Sequence, residues 1–280
     1  MPELPEVEAV CRLVGPRIRG CVIRFVEVYR PRTVAPIGAR AFSQRLQGSK
    51  MIRLQRRGKN LVIHLKPGRR MPDCAALLIH LRMSGDLYVD STNRPIPPAA
   101  CVVFHLSGGR RLILEDKRGL AVCSLLTADE AAARLGKVGV EPLSPRFTAH
   151  ALFEMMRHSS LPIKIFLMDQ RRVAGLGNIY VAEALFRAGI DPRARAASLS
   201  AQSARQLHQA IVGVLRGAVK SALQGYRHPT GGFSRQEEFE PQVYGREGQP
   251  CRKCGSVIRR IRQGNRSTYY CPKCQMVNGT

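Results

Sequence analysis

The sequence predicts an α+β protein: a strand-rich N-terminal part, a helical part, and a C-terminal hairpin pinned by a metal. Three observations carry this. Apolar residues recur with period two between Val22 and Leu126, apolar residues recur at helical spacing beyond about residue 145, and four cysteines close the chain as Cys251-x-x-Cys254 and Cys271-x-x-Cys274.

The first element is a helix. Pro5 suits a first helical turn, where its missing N–H is not needed. Glu6 and Glu8 follow at the positive end of the helix dipole. Val7, Val10, Cys11 and Val14 then share one face, and Gly15-Pro16 and Gly20 are expected to end the helix. Val22, Arg24, Val26 and Val28 next alternate with Ile23, Phe25 and Glu27, as in a strand. Residues 61–65, 75–81, 101–106, 112–115 and 121–126 are further short strands. Such strands, separated by Gly, Pro and Asn turns, argue for a β-sandwich or barrel.

A helix is expected over 127–136. The segment 138–145 carries Gly139, Pro142 and Pro145 and is the linker candidate. Beyond it, Leu207, Ile211, Val214, Leu215, Ala218 and Ala222 fall on one helical face, with Ser200 or Ser203 as the N-cap. The stretch 225–240 has the composition of a loop. The expected domains are therefore 1–136, 137–240 and 241–280.

Charge narrows the partner. Lys and Arg number 45 against 20 Asp and Glu, a net charge of +25. A polyanion is the expected partner, nucleic acid before a ribosomal or membrane surface, because phosphate neutralisation dominates such interfaces. No apolar run approaches the roughly 18 residues that span a bilayer. The start, Met1-Pro2-Glu3-Leu4-Pro5-Glu6, is acidic and proline-broken, unlike a secretion signal, so a cytoplasmic protein is expected.

In that compartment the cysteine pairs, sixteen residues apart, suit a metal rather than disulfides. Cys251, Cys254, Cys271 and Cys274 can converge as four thiolates on one tetrahedral Zn²⁺, closed to catalysis and so structural; an iron–sulfur site or free thiols are the alternatives. Around them stand Arg252, Lys253, Arg259, Arg260, Arg262, Arg266 and Lys273, with no Asp or Glu from Cys251 onward. Such a hairpin, with its tip near 264–268, suits phosphates; a solvated basic face is the alternative.

Two weaker signals follow. In Val173-Ala174-Gly175-Leu176-Gly177-Asn178-Ile179-Tyr180, the glycines permit a tight turn and Asn178 is placed to cap the next helix, whose N–H groups attract anions. Lys164 stands nearby to add a charge. At the N-terminus, removal of Met1 would leave Pro2 as a free secondary amine, able to form an iminium with an aldehyde-like sugar carbon, with Glu3 beside it for acid–base work. Taken alone, a glycine-rich turn and an N-terminal proline are more often without function.

Taken together, Pro2-Glu3-Leu4-Pro5-Glu6-Val7-Glu8, Gln55-Arg56-Arg57-Gly58-Lys59, His80-Leu81-Arg82-Met83-Ser84-Gly85, the turn before Tyr180, and Val243-Tyr244-Gly245-Arg246 onward to Cys274 occur in an order that resembles the formamidopyrimidine-DNA glycosylase/endonuclease VIII family. The resemblance covers essentially the whole chain, and its opening favours the formamidopyrimidine branch. It implies an N-terminal β-sandwich domain, a C-terminal helix–two-turns–helix domain and a zinc finger, with damaged double-stranded DNA lying across a cleft and the protein acting as a monomer. It implies Pro2 as the nucleophile at the sugar C1′, Glu3 as the acid for base release and Lys59 as a further acid–base group. Glu6 is implied as a supporting carboxylate, and Asn178 and Arg266 as phosphate clamps, Arg266 within the catalytic set. Met83, Arg118, Leu120, Lys164 and Tyr244 are implied as further DNA contacts. Flipping, glycosidic cleavage, a Schiff base, then β- and δ-elimination would follow.

The departures bear on lesion choice. Where the family commonly has Asp-Pro-Arg-Arg-Phe-Gly, this chain has Asp116-Lys117-Arg118-Gly119-Leu120-Ala121. Leu120 replaces a wedge phenylalanine, and Gly119 replaces an arginine and predicts a looser loop. A His-Asp-His segment appears as Ala99-Ala100-Cys101, the usual basic cluster ahead of Pro162-Ile163-Lys164 is Arg157-His158-Ser159-Ser160, and the stretch between Leu223 and Gln242 matches poorly. Oxidised or ring-opened purines are the expected substrates. A paralogue with a shifted lesion range, and a DNA-binding protein without catalysis, are the other two readings.

Overall fold

The computed structural model describes residues 2–68, 74–91, 93–225 and 239–276. Its contacts form two compact units, one of residues up to Lys137 together with 222–225, the other of Val138–Ser221 together with 239–276.

The first unit opens with α1 (Leu4–Ile18), followed by β1 (Ile23–Val28), α2 (Ala39–Leu46), β2 (Lys50–Arg57), β3 (Asn60–Lys66), β4 (Cys74–His80), β5 (Gly85–Ser91), β6 (Ala100–Leu106), β7 (Arg110–Asp116), β8 (Val122–Thr127) and α3 (Ala128–Gly136). The strands make two four-stranded antiparallel sheets, in the orders β1-β6-β7-β5 and β2-β3-β4-β8. Alternate side chains of both sheets (Ile23, Leu61, Ile63, Leu77, Leu87, Phe104 and Leu112 among them) form one core with Val7, Val10, Val14 and Ile18 of α1 and Phe42 and Leu46 of α2. This is the expected sandwich, and burial of these side chains is its main driving force.

Two details differ from the sequence reading. Gly15-Pro16 does not end α1, which runs on to Ile18. Pro16 lies in the last turn, where its ring removes a single intrahelical bond, and Val14 and Ile18 are buried on the core side. Strands β2 and β5 were also not expected. In Lys50–Arg57 only Met51 is fully buried, Ile52 is exposed, and Lys50, Arg53, Arg56 and Arg57 interrupt the apolar pattern, so no clean alternation marks it. In Gly85–Ser91 only Gly85 and Leu87 are fully buried.

The second unit contains α4 (Ala149–Met156), α5 (Ile163–Met168), α6 (Asn178–Ala188), α7 (Ala201–Gly225) and the hairpin β9 (Arg259–Gln263) and β10 (Arg266–Tyr270). The face read from sequence is the buried one in α7: Leu207, Ile211, Leu215 and Ala218 are inside, and Val214 is half-buried. Ser200 begins the helix, its hydroxyl accepting from the Ser203 N–H at 3.1 Å. The loop expected over 225–240 lies, except for its ends, outside the described residues. No helix of the described residues is long and apolar enough to cross a membrane.

The turn from β4 into β5 is tight. The Gly85 N–H donates to the Leu81 carbonyl at 3.0 Å, and a Cβ on Gly85 would stand 2.4 Å from that oxygen. Backbone cannot yield as a side-chain tip does. Gly85→Ala is therefore expected to destabilise the protein by about 1–3 kcal/mol, the usual range for overpacking, read as a lower midpoint of chemical or thermal unfolding.

Candidate nucleic-acid interface and metal centre

The N-terminal residues are held by their own helix. Glu3 is the N-cap of α1, and its carboxylate takes the backbone N–H of Glu6 while the Glu6 carboxylate takes the Glu3 N–H at 2.7 Å. This capping box satisfies two of the orphan donors of the helix start. It also buries both carboxylates and fixes the residue that follows Pro2, itself half-buried.

Lys59 sits in the two-residue turn between β2 and β3, where Arg57 pairs with Asn60. Gly58 takes φ +59°, a conformation that suits glycine. Lys59 is buried, and its charge reaches His80 on β4. Burial, then Arg82 and Lys59, push the His80 imidazole down to about 4, so it is neutral near pH 7. Its Nδ1 accepts the Arg82 N–H at 3.0 Å.

Glu8 and Arg56 connect α1 to this turn, a role the sequence reading did not assign. Glu8 accepts from Arg12 Nε and from Arg56 Nε, each at 2.6 Å, and Arg56 Nη1 donates to the Gly58 carbonyl at 3.0 Å. Burial alone would raise the Glu8 carboxyl, but the hydrogen bonds from Arg56 and Arg12 outweigh it and hold it below the usual carboxylate value. The available signal was Arg56 in the motif ahead of Lys59.

Met83, Arg118 and Leu120 share an anchor in Asp116. The fully buried Asp116 carboxylate accepts the Ser84 hydroxyl at 2.5 Å and the N–H groups of Arg118, Leu120 and Ala121 at 3.0, 2.7 and 2.7 Å. Burial would raise this carboxyl, but these four donors prevail and keep it below the ordinary range. Met83 is 39 % exposed next to Ser84, Arg118 is exposed and Leu120 half-buried. Gly119 has φ +63°, and its own N–H donates to the Asp116 carbonyl at 3.1 Å, so the glycine closes the turn.

In the second unit the glycine-rich turn is braced by Gln170. Its Oε1 accepts the Gly175 N–H at 2.9 Å and its Nε2 donates to the Leu176 carbonyl at 2.7 Å. Asn178 is not the N-cap of α6; Gly177 is, and Asn178 occupies the first helical position. Its amide Nδ2 donates instead to the Ser267 carbonyl of the hairpin at 3.0 Å, and its Oδ1 is buried with no partner among the described residues.

Lys164 requires the clearest correction. Expected as a DNA contact, it is completely buried. Its Nζ donates to the Ser267 carbonyl at 2.9 Å and to the Thr268 hydroxyl at 2.5 Å. Burial, then the charge of Arg266, pull its ammonium down to about 8. A cation without access to solvent cannot meet a phosphate; Lys164 braces the strand that starts at Arg266. Arg266 is exposed beside the hairpin tip, where Gly264 and Asn265 take φ +52° and +60°. Two consecutive positive values define the two-residue turn that matches strand twist.

The hairpin stands on a small core of Ala182, Val243, Cys251, Ile258 and Cys271. Tyr244, expected at the DNA, packs edge-on against Tyr269 at 5.1 Å, and its N–H donates to Glu183 at 2.9 Å. Glu183 also accepts from Gln242 and Val243 at 2.8 and 3.0 Å. Burial raises this carboxyl above its ordinary value although the three N–H groups oppose it. Nothing in the sequence marked Glu183, one helical residue among many.

The Sγ atoms of Cys251, Cys254, Cys271 and Cys274 all lie within 4.8 Å of one another. Four sulfurs at about 2.3 Å from a common centre would be about 3.8 Å apart; the Cys251–Cys274 and Cys254–Cys271 separations are 3.9 and 3.4 Å. The set fits a tetrahedral ion with no position left for substrate.

A sandwich carrying an N-terminal proline and buried acid, followed by a helical module and a four-cysteine finger, defines a class of DNA-repair proteins, and comparison with known proteins gives the same result. Residues 1–123 match the formamidopyrimidine-DNA glycosylase N-terminal domain, 138–229 its H2TH domain, and 248–277 the zinc finger found in FPG and IleRS. The chain is 38 % identical to the formamidopyrimidine-DNA glycosylase of Synechocystis sp., with 98 % of each chain covered, and 41 % identical to that of Moorella thermoacetica, covering 94 % and 95 %. A complex of the Lactococcus lactis Fpg with DNA containing an abasic site superposes with a TM-score of 0.85 at 33 % identity, over 98 % of this chain and 99 % of that one. A complex of MutM with DNA containing carbocyclic 8-oxo-G gives 0.85 at 34 %, over 98 % and 100 %. The chain belongs to the formamidopyrimidine-DNA glycosylase family, and its cysteine tetrad is the site of one structural zinc.

Because zinc pins the strand from which Arg266 projects, Cys254→Ser is expected to lower both bound zinc and DNA affinity. Arg266→Ala should keep the zinc and lose affinity. Metal analysis and a duplex-binding titration on the same preparations check both outcomes.

Proposed function

We propose that this protein is a base-excision DNA glycosylase and abasic-site lyase that removes oxidised or ring-opened purines from double-stranded DNA. The observation that carries the site assignment is the capping box, which leaves a buried acid, Glu3, immediately after Pro2 at a helix N-terminus. The helix dipole disfavours a protonated amine there, so the Pro2 nitrogen is kept in its nucleophilic form.

The chemistry follows from that nitrogen. Its lone pair attacks C1′ of the flipped nucleotide, and the glycosidic bond breaks with the electron pair leaving on the base, which takes a proton. Glu3 moves a proton to the sugar ring oxygen as the ring opens, and loss of the proline N–H leaves an iminium. Abstraction of a C2′ proton expels the 3′ phosphate, a second elimination expels the 5′ phosphate, and water releases the sugar fragment. Lys59, held by the Gly58 turn, serves these proton transfers. Arg266 and Asn178 hold phosphates, with Lys164 keeping the Arg266 strand in place. Such work on chromosomal DNA puts the protein in the cytoplasm, at the nucleoid.

Borohydride reduction during reaction with abasic DNA is expected to trap a covalent adduct that peptide mapping assigns to residue 2. A protein blocked by an extra N-terminal residue should form none. An undiminished adduct in the blocked protein would remove Pro2 from the mechanism, and a wild-type protein that binds DNA without any adduct would leave only the binding reading.

Leu120 bears on lesion range. An extrahelical nucleotide leaves a gap in the stack, and unstacking costs a few kcal/mol. Met83, Arg118 and Leu120 are the side chains available to fill it, and Leu120 lacks the aromatic face whose stacking is worth roughly 1–3 kcal/mol. The natural protein should thus be strong on abasic sites and ring-opened purines and comparatively weak on 8-oxoguanine paired with cytosine. Leu120→Phe should raise single-turnover excision of the last, on the order of tenfold, with little change at abasic sites. Equal rates on all three substrates in the natural protein would show that the wedge does not set the range.

A further inference from the structure

The turn that carries Arg118 is served by a cation from elsewhere in the chain. A Cβ built on Gly119 would stand 2.4 Å from Nη1 of Arg30 and 3.5 Å from its Cδ and Cζ. The guanidinium therefore fills the space in which a side chain at position 119 would lie. Arg30 is aimed there by its backbone. It ends the segment after β1, its N–H donates to the Cys101 carbonyl at 3.2 Å, and Pro31 begins a short 3₁₀ turn directly after it. Cys101 in turn directs its thiol toward the Ala99 and Asp116 carbonyls at 3.7 and 3.9 Å, which places this edge of β6 against the residue that opens the 116–121 turn.

No carboxylate among the described residues makes an ion pair with Arg30, and the acid of the neighbouring turn, Asp116, already accepts four hydrogen bonds. Lys117 and Arg118 are exposed on the same turn. The half-buried Arg30 guanidinium thus adds a charge to the turn that carries Lys117 and Arg118, one that an arriving phosphate can pair with. The family resemblance expects an arginine at 119 and a histidine near 99–101. This chain has neither, and Arg30 contacts both places, the first with its guanidinium and the second with its backbone.

We propose that Arg30 is a DNA-phosphate-binding residue that supplies, from the segment after β1, the cation missing at Gly119. The inference rests on the reading of the protein as a DNA glycosylase. The test is equilibrium binding to a duplex bearing a tetrahydrofuran abasic-site analogue, between about 50 and 200 mM salt. Arg30→Ala is expected to weaken binding roughly tenfold at low salt and to reduce the slope of log K against log salt by about 0.9, the contribution of one phosphate contact. Arg30→Lys, which keeps the charge, should retain the slope. Unchanged binding in Arg30→Ala would overturn the proposal. So would weaker binding with an unchanged slope, because that is the behaviour of a residue that only shapes the turn. Borohydride trapping by the wild-type protein tests the glycosylase reading separately, since an adduct together with an unaltered Arg30→Ala slope would reject the phosphate contact alone.

Discussion

The four donors that converge on the buried Asp116 carboxylate join two turns of the first unit, that of Met83 and that of Arg118 and Leu120. One of them comes from Ser84, next to Met83, and three come from the turn of Arg118 and Leu120. Removing a charged acceptor from water is unfavourable unless its hydrogen bonds are replaced; here they are replaced by groups from two separate turns, so the ion cannot be satisfied unless both turns are in place. The second unit repeats the device with Glu183, which gathers three successive N–H groups of 242–244 onto α6. In each case the backbone is held by a buried carboxylate beneath it rather than by the residues at the surface.

This explains which features were legible in sequence. The zinc ligands were, because four thiols at fixed spacing have few other uses. So were most strands, through their period; the order of the motifs singled out Pro2, Glu3 and Lys59, whose roles belong to the proposed function. Strand β2 was not: one position is fully buried and the exposed ones mix Ile52 and Gln55 with Lys50 and Arg53, so the period-two signal is weak. Asp116 and Glu183 were not assigned because all their partners but the Ser84 hydroxyl are backbone groups, which leave no pattern in the sequence. Lys164 was misassigned for a related reason: a lysine in a basic protein suggests solvent, and only the third dimension shows a carbonyl and a hydroxyl waiting for it.

The net charge of +25 is thus not uniformly available. Arg56 is committed to Glu8 and Lys164 to the hairpin backbone. Arg266 and Arg118 remain exposed. Arginine and lysine differ in how they suit these tasks. The planar guanidinium joins Glu8 to a carbonyl at once, as Arg56 does, whereas the compact ammonium of Lys164 fits a narrow interior position and gives up some basicity there.

The contact between Tyr244 and Tyr269 has a practical consequence. The chain has no tryptophan and seven tyrosines, and Tyr244, Tyr269 and Tyr270 all lie in or against the zinc hairpin. With no indole to collect excitation energy, the ultraviolet emission of the unlabelled protein is that of its phenols, three of which lie in this one corner. Release of the metal would separate the two packed rings and change their environment. The finger is therefore its own optical reporter, and its unfolding can be followed in real time without a dye.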